Sequence, residues 1–176
     1  DVYKRQVDDP PSRQDTSEVG VTLALAVIHC ADPSRVGEML RFPGDCAIFG
    51  REEGGSQTTV PRAFFARERP GESLLRPPLE LPALSRDQAR ISRDPNGFVI
   101  TNVGRRGMIG PNGTPANEAR LGVGDCFEID GQVAFVCVPR PAKLARVRGV
   151  ADLSFAFGEA DGYGLVGESV LAWELR

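Results

Sequence analysis

Lysine, histidine and tryptophan are scarce in this 176-residue chain, whereas arginine is abundant. Of the 21 basic residues only Lys4 and Lys143 are lysines, and the other 19 are arginines. Arginine is suited to bidentate contacts with carboxylate and phosphate groups, although a GC-rich genome also raises the arginine count. The acidic residues outnumber the basic ones and give a net charge of −3. This charge argues against nucleic acid or an acidic membrane surface as a partner.

The chain has no segment that predicts membrane insertion or secretion. No apolar run exceeds the length of residues 23–28, which is far too short to span a bilayer. Residues 1–6 lack the apolar core of a signal peptide and resemble translated adapter sequence. The polar residues that follow predict a disordered leader over 1–20. We therefore expect a cytoplasmic protein, present here as a fragment or processed product because it has no initiator methionine.

Residues typical of catalytic and metal centres are also few. The only histidine, His29, is adjacent to Cys30 in a predicted strand, where neighbouring side chains point to opposite faces. The remaining cysteines, Cys46, Cys126 and Cys137, form no C-x-x-C pair, which predicts buried free thiols rather than a metal site. Neither a phosphate-binding G-x-x-x-x-G-K-[ST] loop nor a G-x-S-x-G turn occurs. We expect no catalytic residue, no metal and no cofactor in this chain.

The pattern of apolar residues predicts an all-β fold. Short runs rich in valine, isoleucine and phenylalanine alternate with turn-forming residues about every eight to twelve residues, which is typical of a β-sandwich. We expect the sandwich to span residues 21–141, followed by a linker over 142–164 and a short helix. Residues 52–59 and 69–82 are predicted loops. The predicted strands include residues 21–30, 35–42, 46–49, 63–67, 88–92, 98–102, 126–129 and 132–138.

Two dipeptides predict tight hairpins within this region. Asn96-Gly97 and Asp130-Gly131 each lie between two strand-like runs. Such pairs supply the positive-φ residues of a type I′ turn, so we expect that turn type at both places.

Five short motifs, in this order, resemble the forkhead-associated (FHA) domain over roughly residues 21–141. They are Phe49-Gly50-Arg51, the Leu84-Ser85-Arg86-Asp87-Gln88-Ala89-Arg90-Ile91 run, the Ile100-Thr101-Asn102-Val103-Gly104 run, Asn112-Gly113 and the Leu121-Gly122-Val123-Gly124-Asp125 run. The resemblance implies an FHA-like β-sandwich of about 10–11 short strands, whose loops at one end hold a phosphothreonine peptide.

A second resemblance lies at the C-terminus. Residues 157–169, with Trp173, Leu175 and Arg176, look like the opening of the AAA+ module of sigma-54-dependent transcriptional activators. FHA domains do occur as N-terminal regulatory units of such activators. The resemblance implies a bacterial regulatory region, with residues 165–176 as a truncated start of an AAA+ module that ends before the ATP-binding loop.

The first resemblance implies a set of phosphopeptide-binding residues. A phosphate group carries a charge of about −1.5 to −2 and needs several donors at fixed positions. The expected donors and peptide contacts are Arg51, Ser85, Arg86, Asn102 and Arg105, where Asn102 is expected to hold either loop or peptide backbone.

Other residues bear on whether that site functions. Gly50 and Gln88 are expected to brace the loops, with Gln88 in the place of the family's histidine. Gly107 stands where the family has the asparagine that contacts peptide backbone, while Arg106 adds positive charge nearby. Two functions therefore stay open: a phosphothreonine-dependent binding module, or a phosphate-independent domain for dimerisation or for docking on the attached AAA+ module.

Overall fold

Two antiparallel β-sheets pack face to face in the computed structural model, which describes residues 20–51, 59–141, 144 and 154–176. The predicted all-β sandwich is confirmed, and its described residues form twelve strands, slightly more than expected. A 3₁₀ turn, Pro33–Arg35, follows the first strand, and one short helix, α1 (Val170–Glu174), lies near the C-terminus. The strands are β1 Val21–Cys30, β2 Met39–Arg41, β3 Cys46–Phe49, β4 Phe64–Arg69, β5 Glu72–Arg76, β6 Ala89–Asp94, β7 Gly97–Asn102, β8 Met108–Ile109, β9 Pro115–Ala116, β10 Glu118–Leu121, β11 Cys126–Ile129 and β12 Val133–Pro141.

The pairing of the first and last strands closes the sandwich. The larger sheet has the order β5-β4-β2-β1-β12-β11-β8-β9, and the smaller sheet has the order β10-β7-β6-β3. β1 and β12 run antiparallel from Val21 opposite Pro141 to Cys30 opposite Val133. Both strands are rich in β-branched and aromatic residues, which fit a pleated, buried surface. The first and last strands of the sandwich, which are far apart in the sequence, are therefore neighbours at the centre of the larger sheet.

Phenylalanine side chains form the centre of the core between the sheets. The Phe135 ring of β12 lies 5.4 Å from the Phe49 ring and 5.0 Å from the Phe127 ring, measured between centroids. Aromatic pairs of this kind contribute about 0.5–1.5 kcal/mol beyond the burial of their area. Phe49 is the last residue of β3. The core therefore fixes the point at which Gly50 and Arg51 leave the sheet.

Both predicted hairpins form, but the predicted type I′ turn is wrong at both. In the first, Asp94 pairs with Gly97, so the turn residues are Pro95 and Asn96. Within the described ranges no residue other than glycine has a positive φ, which excludes type I′. Gly97 is required for another reason, because a Cβ there would collide with the carbonyl oxygen of Leu121.

The second hairpin has a longer loop than expected. Ile129 pairs with Val133, so the loop comprises residues 130–132. Gly131 has a φ of 65° and supplies its left-handed position. A three-residue loop with one left-handed residue is the next common way to connect two antiparallel strands.

Other segments also differ from expectation. Residues 69–82 were predicted to form a loop, yet they contain β5, which pairs with β4 through the tight turn at Pro70 and Gly71. Only Met39–Arg41 belongs to a strand within the predicted strand over 35–42, because the 3₁₀ turn includes Arg35 and Gly37 has a left-handed φ of 89°. The predictions for residues 1–19, 52–58, 142–143 and 145–153 lie outside the described residues.

The four cysteines are free, and two of them are fully buried. Cys30 and Cys137 lie in the core, whereas Cys46 and Cys126 are half-buried. Burial raises the pKa of the Cys30 and Cys137 thiols, which keeps both in the unreactive protonated form. The prediction of buried thiols is thus confirmed for two of the four residues.

Two arginines hold the Glu68 carboxylate of β4 in the larger sheet. Arg41 forms a bidentate contact with Glu68, at 2.8 and 2.9 Å, and the Arg140 Nε donates to the same carboxylate at 2.8 Å. Burial raises the pKa of Glu68, but the hydrogen bonds and charges of the two arginines outweigh it and leave the pKa below its ordinary value. The ionised form of Glu68 therefore stabilises the fold.

The C-terminal segment, residues 154–176, packs against the sandwich through Arg69. The Arg69 guanidinium binds the Glu168 carboxylate at 2.5 and 3.2 Å and donates to the Phe155 carbonyl oxygen at 2.8 Å. It also lies 5.7 Å from the centre of the Trp173 ring, which stacks on Phe155. Glu168 and Trp173 are both buried. The described part of the predicted linker is therefore in contact with the sandwich.

The loss of stability at low pH tests the Glu68 contact. A carboxylate whose pKa is lowered by folding contributes stability above its unfolded pKa and loses it as the pH falls. Glu68→Gln should therefore flatten the decline in the free energy of unfolding below about pH 4.3, as measured by urea titration between pH 7 and pH 3. The exposed Glu118→Gln is the control and should keep the original slope. Equal slopes in the two variants would contradict this account.

Docking of the C-terminal segment can be followed through Trp173, the only tryptophan of the chain. Arg69→Ala leaves the Glu168 carboxylate buried without its cation, and breaking such a pair costs about 3–5 kcal/mol. We expect the fluorescence of Trp173 to shift to the red at temperatures where the far-ultraviolet circular dichroism of the sheets is unchanged. Arg120→Ala, which removes an exposed guanidinium on β10, should leave the emission as it is. If Trp173 in Arg69→Ala still emits at the wavelength of a buried tryptophan, Arg69 does not hold the segment.

Candidate functional site at one end of the sandwich

A depression of about 630 Å³ lies at the end of the sandwich where β3 ends. Four of the five predicted phosphopeptide contacts line it: Arg51, Ser85, Arg86 and Arg105. These residues come from three separate loops, which follow β3, precede β6 and follow β7. The fold therefore brings together residues that are more than fifty positions apart in the sequence.

The loop after β3 approaches the loop before β6 very closely. The backbone N–H of Arg51 donates to the carbonyl oxygen of Ser85 at 3.2 Å, and that of Gln88 donates to Phe49 at 2.8 Å. A Cβ at Gly50 would collide with the carbonyl oxygen of Arg86. Only glycine allows this approach, so Gly50 fixes the position from which the Arg51 side chain starts.

Ser85 joins the loop before β6 to the loop after β7. Its Oγ accepts a hydrogen bond from the backbone N–H of Arg105 at 2.9 Å. A hydroxyl that accepts in this way keeps its own proton, which it can donate to another group. The same contact holds the backbone of Arg105 at the rim of the depression.

The Gln88 side chain is completely buried and joins the same loops from beneath. Its Oε1 accepts from the Ser85 N–H at 3.0 Å. Its Nε2 donates to the Asn102 Oδ1 at 2.9 Å and to the Arg106 carbonyl oxygen at 3.1 Å. Gly104 is required beside it, because a Cβ there would lie 2.6 Å from the Gln88 amide. The Gln88 amide thus braces both loops, because its oxygen accepts one hydrogen bond and its nitrogen donates two.

Two residues predicted at the site lie elsewhere. Asn102 does not line the depression: its Nδ2 donates to the Arg106 carbonyl oxygen at 2.8 Å, and its Oδ1 also accepts from Gly104. Asn102 thus holds loop backbone in this structure. The Arg106 guanidinium is directed to Asp130, 3.5 Å away, and is also outside the depression. Gly107 is exposed, with no atom near the position of a Cβ.

Arg62 also lies at this end of the sandwich, although no sequence motif predicts it there. Its guanidinium pairs with Asp87, which lines the depression, and donates to the Arg86 carbonyl oxygen at 2.7 Å. Ile48 of β3 places Arg62 there, because it exchanges backbone hydrogen bonds of 2.9 Å with Pro61 and Ala63. No local pattern indicates this pairing, which depends on residues distant in the sequence.

Among the described residues that line the depression, arginines outnumber acidic residues, although the chain is acidic overall. Three arginine side chains line it, and the carboxylate of Asp87 is paired with Arg62. Guanidinium groups and a hydroxyl around one depression suit a ligand with several oxygen acceptors and negative charge, such as a phosphate or a carboxylate.

No family model matches the chain, and no curated protein matches it in sequence. Across the described ranges no helix is long and apolar enough to cross a membrane. In the same part of the chain no three His, Cys, Asp or Glu side chains are grouped as metal ligands.

Removal of the Gln88 amide should loosen this end of the sandwich. Gln88→Ala removes the acceptor of the Ser85 N–H and one of the two donors to the Arg106 carbonyl oxygen, which keeps its hydrogen bond from Asn102. A polar group that loses its partner away from solvent costs about 1–3 kcal/mol. We expect a lower free energy of unfolding and faster amide hydrogen exchange at Ser85 and Arg105. Gln132→Ala, in the loop after β11, is the matched control and should have little effect. If exchange at Ser85 is unchanged in Gln88→Ala, the amide does not brace the loops.

Proposed function

We propose that the chain is an FHA-like module that binds phosphothreonine peptides and regulates a sigma-54-dependent transcriptional activator in the bacterial cytoplasm. One observation carries the proposal. Arg51, Ser85, Arg86 and Arg105, which the family resemblance singles out in separate motifs, line one depression at one end of the sandwich.

The chemistry of the depression supports this ligand class. A phosphate carries a charge of about −1.5 to −2 at neutral pH and offers three strong acceptor oxygens. Arg51 starts from a rigid position after Gly50, and the Ser85 hydroxyl retains a proton to donate. Arg86 and Arg105 are exposed at the same depression. Each charge-assisted hydrogen bond to the phosphate contributes about 1.5–3 kcal/mol.

The residues around the depression also indicate how recognition departs from the family. The Asn102 amide is already used within the loop, and Gly107 has no side chain to contact a peptide. We therefore expect the phosphate, rather than the peptide backbone, to supply most of the affinity. Sequence preference should accordingly be weak on the side of the peptide that faces Gly107.

A phosphothreonine peptide library tests the proposal, with the unphosphorylated library as reference. Binding should require the phosphate, and Arg51→Ala or Ser85→Ala should weaken it roughly 10- to 150-fold, as expected for one lost charge-assisted bond. Arg106→Ala is the matched control, because its guanidinium lies outside the depression. Equal binding of both libraries, or no effect of Arg51→Ala, would overturn the proposal.

The second candidate is a phosphate-independent domain that docks on the attached AAA+ module. It is favoured by the contact of Arg69 with Glu168, which already joins residues from the proposed start of that module to the sandwich. This function requires Arg69 and not Arg51. In a regulated activator, loss of control in Arg69→Ala with normal control in Arg51→Ala would favour it.

A further inference from the structure

β5 forms an open edge of the larger sheet. The sheet order ends at β5, and within the described part of the chain no strand pairs with its outer edge. Leu74 is 50% exposed and Leu75 is 66% exposed. The edge strand β3 is bridged by Arg62, and β9 consists of only two residues, of which one is a proline that cannot donate. β5 is therefore an open edge that can pair with another strand.

The hairpin register shows which backbone groups of β5 point outward. Arg69 and Glu72 flank the two-residue turn and pair with each other, and such a closing pair exchanges hydrogen bonds across the hairpin. Inward and outward groups alternate along the strand. Glu72, Leu74 and Arg76 therefore direct their N–H and C=O groups to β4. Ser73 and Leu75 direct theirs to the open edge.

We propose that β5 pairs with β5 of a second copy of this chain, so that the two larger sheets become one continuous sheet. The sequence Glu72-Ser73-Leu74-Leu75-Arg76 is complementary to itself when antiparallel about Leu74. Ser73 and Leu75 of the partner subunit then exchange backbone hydrogen bonds, as their outward direction requires. In the same register Glu72 faces Arg76 of the partner subunit, which gives two symmetric ion pairs.

This register also matches side chains across the two-fold axis. Leu74 faces Leu74 of the partner subunit at a non-hydrogen-bonded position, where opposing side chains approach most closely. The two exposed leucines thereby become partly buried. A shift of the register by two residues would place Glu72 opposite Leu74 and would lose the ion pairs. Charge and backbone direction thus favour one arrangement.

The interface is small. Five paired residues on each side bury less than the roughly 1,600 Å² of a standard protein interface. We therefore expect a dissociation constant in the micromolar range or weaker. No residue that lines the depression near Arg51 lies on β5, so the dimer leaves both depressions open and stands independently of the proposed function.

Substitutions that reverse the charge of Glu72 or Arg76 test the proposal, and they are made in the whole 176-residue chain. Light scattering after size exclusion, over about 1 μM to 1 mM protein, should show a monomer–dimer equilibrium for the wild type. Glu72→Arg places arginine against arginine, and Arg76→Glu places glutamate against glutamate, so each variant alone should dimerise at least tenfold more weakly. An equimolar mixture of the two should form a heterodimer, since their charges complement each other.

Further variants separate this dimer from other outcomes. Arg76 also contacts the buried Glu38 at 3.2 Å, so Arg76→Glu can fail to fold. Leu74→Lys places like charges on the two-fold axis without touching that contact and should also give monomers. Glu118→Arg, on the edge strand β10, is the control and should dimerise as the wild type does. A wild type that stays monomeric at 1 mM, or a Leu74→Lys variant that dimerises normally, would overturn the proposal.

Discussion

The buried amide of Gln88 is the contact on which the end of the sandwich depends. It is the point where the loop before β6 and the loop after β7 meet, through Ser85, Asn102 and Arg106. A buried polar group without its partners costs about 1–3 kcal/mol, so the loops are stable in the one arrangement that satisfies all three contacts. Because the backbone of these loops is held in one conformation, their arginine side chains lose less conformational entropy when they bind an anion.

The arginine excess of the sequence has a structural use that composition alone does not reveal. Glu38, Glu68 and Glu168 are carboxylates at or near the interior, and each is held by arginine. The planar guanidinium is less strongly hydrated than an ammonium group and matches a carboxylate with two donors, so it suits buried pairs better than lysine. The arginines therefore serve two environments: ion pairs along the larger sheet, and the depression beyond β3.

The sequence predicted those parts of the molecule whose signals are local. β1, β3 and β11 have the predicted bounds, because apolar runs and flanking turn residues define them without reference to distant strands. β5 was missed because it is exposed on both faces and lacks a period of two. Arg62 was missed since its position depends on a backbone contact with β3. For Asn102 the sequence left two alternatives, loop or peptide backbone. In the structure its amide holds the adjacent loop and also accepts a hydrogen bond from Gln88, which is more distant in the sequence.

The hairpin of β4 and β5 contacts two carboxylates, Glu38 and Glu168, that are far apart in the sequence. Arg67 and Arg76 reach the buried Glu38 from its two strands, and Arg69 holds Glu168 of the C-terminal segment. Arg69 is also paired in register with Glu72, the first residue of β5. The proposed strand pairing at β5 therefore involves the same hairpin backbone that carries Arg69. The contact that holds the C-terminal segment and the edge proposed to pair with a second copy thus belong to one short hairpin, which includes none of the residues that line the depression.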